Sequence, residues 1–328
     1  MAEDLTIDAI RVLRDELADD ILRTPLLRCA ALEEQLDNGT QVYAKMEFLQ
    51  RTGTFKARGA LAVLKSLGRE QLAPGVTAVS AGNHAIATAF AARAMGTSAK
   101  VVMVSSANAA RVDACRRLGA EIVFVDSVHD AFTVAEDIQQ AEGRHFVHPY
   151  EGPWTAMGTG TVGLEIVEQC EAFDAVIVPI GGGGLMAGIA TAVKQLRPES
   201  RVIGVEPEGA ASMHRSFEAG EPRSIDSVRT IADSLGAPLA LPYSFALCRK
   251  YVDSLAMVDD IQLRRAMGML FERMKIAVEP ACAASTAALF GPQRDELAGK
   301  TVVLVWCGSN IDWDTFAQQA IFGTDDTD

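Results

Sequence analysis

Ala175-Val176-Ile177-Val178-Pro179-Ile180-Gly181-Gly182-Gly183-Gly184-Leu185 reads as a strongly apolar strand, a run of four glycines and the opening of a helix that continues to 196. Glycines at such a junction let the backbone come close to an anion while the free amides of the first helical turn point at it, which is how phosphate groups are held. A plain strand-to-helix turn needs one or two glycines, so four favour phosphate binding. The run has neither the GxGxxG spacing of a dinucleotide fingerprint nor the Lys-Ser/Thr that follows a Walker loop, which disfavours a nicotinamide enzyme.

Strands and helices alternate on both sides of this junction. Before it come strand 76–80, helix 83–95, strand 100–104, helix 108–118, strand 121–125 and helix 128–142. After it come strand 201–205, helices 261–275 and 283–290, strand 301–306 and a last helix near 314–321. The alternation predicts an α/β protein with parallel sheets wrapped by helices and ligands outside the carboxyl ends of the strands. Residues 7–22 carry apolar positions at helical spacing until Thr24-Pro25 breaks them, and 42–46 reads as a short strand. Residues 148–154 form a loop rich in Pro, Gly and aromatics, 161–170 a helix, and 206–242 a less regular region. With neither an internal repeat nor a low-complexity linker, a second domain is expected as an insertion: 71–152 within a larger domain of 1–70 and 153–328.

The 328 residues, 49% of them hydrophobic, suffice for a large core. A formal charge of -13 argues against nucleic acid or an anionic membrane as partner, because phosphate surfaces need clustered Lys and Arg. No apolar run approaches the roughly 20 residues of a spanning helix. The acidic start at Met1 has no signal-peptide pattern, and the six cysteines include no CxxC pair. These features lead to the expectation of a cytoplasmic protein with reduced thiols and no structural zinc.

Three more segments carry chemistry. Thr52-Gly53-Thr54-Phe55-Lys56-Ala57-Arg58-Gly59-Ala60 places Lys56 at the start of a helical run, where the helix N-terminus lowers an amine's pKa. An arbitrary lysine is a solvated one, so this reading needs support from elsewhere. Ser80-Ala81-Gly82-Asn83-His84 opens an alanine-rich helix at a strand end. Its amides suit a carboxylate, although Ser80 or Asn83 could equally be an ordinary N-cap. Cys307-Gly308-Ser309-Asn310 follows the last apolar strand. A ligand with a phosphate, a ring and a carbonyl for the lysine satisfies all of these: pyridoxal 5'-phosphate.

In order and spacing these segments, with Thr230-Ile231-Ala232-Asp233, resemble the threonine/serine dehydratase and serine racemase family from Thr24-Pro25 to Asp312. The resemblance implies the tryptophan-synthase-like fold type II, with two open parallel-sheet domains and the cofactor in the cleft between them. It implies that Lys56 is the Schiff-base lysine and the base for the α-proton, that Phe55 packs beside the pyridine ring, and that Asn83 bonds the ring hydroxyl. The amides of Gly181, Gly182, Gly183, Gly184 and Leu185 would hold the phosphate. Ser80, Ala81, Gly82, Asn83 and His84 would hold the substrate carboxylate. Cys307 falls where the family commonly has Ser, near the pyridine nitrogen; a thiol, like a hydroxyl, is not a carboxylate, so the ring nitrogen stays largely unprotonated and elimination is favoured. The implied activity is loss of water from a β-hydroxy amino acid, threonine or serine most simply, giving a 2-oxo acid and ammonia. A homo-oligomer, most simply a dimer, is implied as well.

Some positions depart from the family pattern. Ala81 stands where racemases have a second-face serine, which favours dehydration over racemisation. Thr159 replaces a usual glutamine and Ser234 a usual glycine, which opens the way to other substrates such as 3-hydroxyaspartate or phenylserine. Cys282 follows Glu279-Pro280 where a small glycine is common. Glu206 and the carbonyl of Ala210 match a family site for a divalent cation, but Ser212 stands in place of the third, acidic ligand, so a weak site is expected. A non-catalytic protein that binds the cofactor is the alternative of another class. No regulatory domain is expected after the Cys307 loop.

Overall fold

The computed structural model describes residues 5–323. The reading of the first four residues as lacking a signal segment lies outside them. Among the described residues ten strands form two sheets. We number them β1 (Leu26–Arg28), β2 (Gln41–Met46), β3 (Val76–Val79), β4 (Ala99–Val104), β5 (Glu121–Val125), β6 (His145–Phe146), β7 (Ala175–Pro179), β8 (Arg201–Pro207), β9 (Ser254–Val258) and β10 (Thr301–Trp306).

One sheet has the order β1-β2-β10-β7-β8-β9 and the other β5-β4-β3-β6. Only β1, against β2, is antiparallel. The central β7 is buried along its whole length, because helices cover both faces of a parallel sheet and leave no face for polar side chains. Each sheet has a core of its own. Val176, Ile203 and Val303 lie in the larger, and Val76, Ala85 and Val101 in the smaller.

The alternation read from the sequence is present, with two instructive differences. The helix expected over 161–170 runs over Pro153–Gln169. Gly158 and Gly160 allow close approach inside it: a Cβ at Gly158 would lie 2.5 Å from the Arg58 carbonyl, and one at Gly160 2.7 Å from Ile10. Packing between helices outweighs their cost in helix propensity. The irregular region holds helix Ser212–Ala219, and helix Pro242–Tyr251 and β9 follow it. In β9 the burial alternates weakly and Met257 is exposed, so the edge strand carries little pattern to read.

Beneath the Lys56 helix, Lys56–Ser66, lies a fully buried ionic cluster. Arg58 bonds both oxygens of Glu47, at 2.8 and 2.9 Å, and both of Glu165, at 2.7 and 3.0 Å. Lys45 reaches Glu165 at 2.6 Å and the Thr24 carbonyl at 2.7 Å. Two cations face two anions, so the charge balances where water cannot screen it. Burial works against the charge on Arg58, but the two carboxylates hold its pKa above the ordinary value.

Candidate active site

Lys56 begins its helix directly after Phe55, and its loop is sewn to the end of β10. The Phe55 amide donates to the Cys307 carbonyl at 3.1 Å, and the Ser309 amide to the Gly53 carbonyl at 3.0 Å. Gly53 has a φ of +71°, and a Cβ there would meet Asn310 Oδ1 at 2.6 Å, so only glycine fits. Lys56 Nζ lies 5.2 Å from the centroid of the Phe55 ring and donates to the Pro149 carbonyl at 2.6 Å. Burial pushes its pKa down to about 8, against the pull of Cys307 and Glu279. About a tenth of the amine is therefore uncharged at pH 7, far more than for an ordinary lysine, and the uncharged form is the one a nucleophile or base needs.

Helix Asn83–Ala94 opens at the end of β3. Neither Ser80 nor Asn83 is its N-cap; Gly82 is, without a side-chain bond, and Ser80 Oγ accepts from the Gly82 amide at 3.1 Å. The first amides of this helix therefore keep no side-chain partner at the cap, which leaves them for an anion. Asn83 donates from Nδ2 to Glu279 at 2.7 Å and to Ser234 at 3.2 Å, and its Oδ1 accepts from Asn310 at 2.7 Å. The longer bond, to Ser234, is the one a ligand could replace. His84 Nε2 meets the Val147 carbonyl at 2.8 Å, and burial, with Lys56 nearby, pushes its pKa down to about 3. It is a neutral, packed histidine.

The glycine run follows β7. Gly183 has a φ of +93° and the helix begins at Gly184. A Cβ at Gly182 would strike the Tyr150 ring at 2.3 Å, and one at Gly184 the Tyr150 carbonyl at 2.4 Å. Among the described residues no backbone carbonyl accepts from the amides of Gly181, Gly182 or Gly183. Gly184 and Leu185 line a narrow cleft together with Phe55, Lys56, His84 and His148. Lys56 and the first residues of the helix after the glycine run thus line one space, the free amides of Gly181, Gly182 and Gly183 lie next to it in the chain, and this donor set fits a phosphate-bearing aldehyde.

Cys307 closes the site at the end of β10, 3% exposed. Cys282 stands within hydrogen-bonding reach of it, and this contact, with burial, raises the Cys307 thiol well above its ordinary pKa. The thiol is therefore neutral, and Cys282 acquires a partner that its sequence neighbours did not suggest.

Four residues of the site were not assigned a role from the sequence. Glu279 is buried, and burial pushes its carboxyl up to about 7 despite Arg111; its Oε2 has no hydrogen-bond partner. Arg111 crosses from the smaller sheet's side to Asp233 at 2.5 Å, to the Asn310 carbonyl at 3.1 Å and to Glu279 at 3.7 Å. His148 accepts at Nδ1 from the amides of Tyr150, at 3.3 Å, and Glu151, at 3.0 Å, so its proton sits on Nε2. Tyr150 packs its ring on Gly182 and donates to the Leu239 carbonyl at 3.2 Å. The aromatic, Pro-rich loop at 148–154 was the signal for the last two, at the carboxyl end of β6.

The expected cation site has a different occupant. Both oxygens of Glu206 accept hydrogen bonds from within the chain, and Ser212 offers only a neutral hydroxyl. Among the described residues no group of three or more His, Cys, Asp or Glu side chains is arranged to hold a metal. The donor set does not fit a divalent cation.

Residues 17–308 match the family described as pyridoxal-phosphate dependent enzyme. The chain belongs to this family. It is similar to phenylserine dehydratase of Ralstonia pickettii, 52% identical over 317 residues that cover 97% of each chain. It is also similar to L-threonine ammonia-lyase of Thermotoga maritima, 37% identical, covering 94% of this chain and 76% of that protein. Among solved structures it resembles maize serine racemase, with a TM-score of 0.91 and 33% identity over 96% of this chain and 97% of that one. The fold is therefore the fold type II expected of the family, and the cofactor is pyridoxal phosphate. No helix among the described residues is long and apolar enough to cross a membrane.

Proposed function

We propose that this member of the pyridoxal-phosphate dependent family removes water from a β-hydroxy-α-amino acid and releases a 2-oxo acid and ammonia. The observation that carries the reading is Lys56, an amine with its pKa lowered to about 8, lining the same cleft as Gly184 and Leu185 at the end of the glycine run. When bound, pyridoxal phosphate supplies the electron sink that makes the α-proton of an amino acid labile. Lys56 would hold the cofactor and, as a free amine, would take the α-proton. The amides of Gly181, Gly182, Gly183, Gly184 and Leu185 hold the phosphate at the helix N-terminus. Asn83, Phe55 and Cys307 would hold the ring, Asn83 at its hydroxyl, Phe55 beside it and Cys307, a neutral thiol, near its nitrogen. The segment of Ser80, Ala81, Gly82, Asn83 and His84 orients the substrate carboxylate.

Ala81 has no proton to give at the position where the family's racemases carry a second-face serine. That supports elimination over racemisation despite the structural likeness to a racemase. Residues 71–152 as a domain inserted into 1–70 and 153–328 belong to the same proposal and are supported by the two separate sheets. A homodimer rests on the family resemblance alone, and a cytoplasmic location on the free cysteines.

A β-aryl substrate is favoured over threonine and serine by the 52% identity to a phenylserine dehydratase. Thr159 supports it. The residue is shorter than the glutamine usual in the family, and its hydroxyl donates to the backbone, with the Gly184 carbonyl at 2.7 Å. The test is 2-oxo acid release from threonine, serine, 3-phenylserine and 3-hydroxyaspartate, with the chirality of the remaining substrate followed in parallel. We expect the highest kcat/KM with phenylserine and no inversion. Racemisation without oxo-acid release from any of the four would overturn the assignment.

A further inference from the structure

Glu206 is a buried charged group that the proposed reaction does not use. It lies near the end of β8, fully enclosed, facing the start of helix Ser212–Ala219. Its Oε1 accepts from the Met213 amide at 2.8 Å. Its Oε2 accepts from the His214 amide at 2.8 Å and from His214 Nδ1 at 2.6 Å. The two amides belong to the first turn of the helix and have no partner within it, so the carboxylate caps the positive end.

A carboxylate offers about four lone-pair sites, and three are filled from within the chain. A divalent cation would have to displace the imidazole and then make do with the Ala210 carbonyl and the Ser212 hydroxyl, too little charge for a hard cation. One observation runs the other way: Ser212 Oγ is buried without a hydrogen-bond partner, as a hydroxyl beside a water or an ion would be. A single neutral oxygen does not make up for the missing carboxylate.

We propose that His214 takes the role a divalent cation would have at Glu206, and that this chain keeps its fold and its glycine loop without such a cation. The loop is involved because the same turn carries Met213, whose terminal carbon would lie 2.7 Å from a Cβ at Gly183. Holding Glu206 therefore holds Met213 against the residue that turns the glycine run into its helix. The anchoring is independent of which amino acid the site accepts.

The test is thermal unfolding of the cofactor-loaded protein with a chelator, and with millimolar Mg²⁺, Ca²⁺ or Mn²⁺. The wild type should melt at the same temperature in all of them. His214→Phe keeps a ring but loses the donor, and it should melt roughly 4 °C lower. His214→Asn restores an N–H close to the position of Nδ1 and should recover at least half of that loss. A chelator that lowers the wild-type melting temperature overturns the proposal. So does an Asn variant that melts no higher than the Phe variant, because the imidazole would then act by filling space.

Discussion

Lys56→Ala is expected to lower oxo-acid release by at least about 10³-fold and to abolish the visible absorbance of the lysine-bound cofactor. The side chain is asked to do two things, to hold the cofactor and to take the α-proton, and alanine can do neither. Circular dichroism separates both losses from a folding defect, since a folded variant still shows its helices. The pH dependence follows from the amine's pKa of about 8, lowered by burial. Below that pH the folded protein carries an ammonium, which cannot attack a carbonyl; above it the amine is free. Uptake of pyridoxal phosphate by cofactor-free wild type should therefore speed up roughly tenfold between pH 7 and pH 9. Full activity in Lys56→Ala, or uptake that slows with rising pH, would remove Lys56 from the centre of the mechanism.

Arg58→Met should cost about 3–5 kcal/mol of stability in urea denaturation. Arg58 is fully buried, two residues beyond Lys56, and holds Glu47 and Glu165 with four hydrogen bonds. Removing it leaves two buried carboxylates facing the single charge of Lys45. Adding Glu47→Gln restores the balance and should return part of the loss, which a cavity left by the arginine would not predict. A cost below about 1 kcal/mol would mean that water enters the cluster and screens it. Because helix Lys56–Ser66 starts on this cluster, the variant should also weaken cofactor binding.

Much of the site was legible because its chemistry sits in short segments with unusual steric demands. A lysine at a helix start, four glycines after an apolar strand and a polar turn at a strand end each mark themselves locally. Helix Pro153–Gln169 extends eight residues before the expected start at 161, and its glycines are explained only by the helices that face them. The exchange at Glu206 was half legible. The missing acidic ligand at Ser212 predicted a weak cation site, but nothing in the spacing of Glu206 and His214 said that the imidazole would turn back onto the carboxylate.

By itself, then, the sequence determined the alternation of strands and helices, the positions of the glycine run and of Lys56, and the family to which they point. These follow from periodicity and from backbone conformations only glycine adopts easily, and both act over a few residues. Tertiary structure alone decided that Asn83 meets Glu279, that Arg111 reaches Asp233, and that Arg58 is shared by Glu47 and Glu165. Those partners are brought together from distant parts of the chain by burial. A buried charge or amide must find whatever counterpart the packing provides, and no local pattern records which one that is.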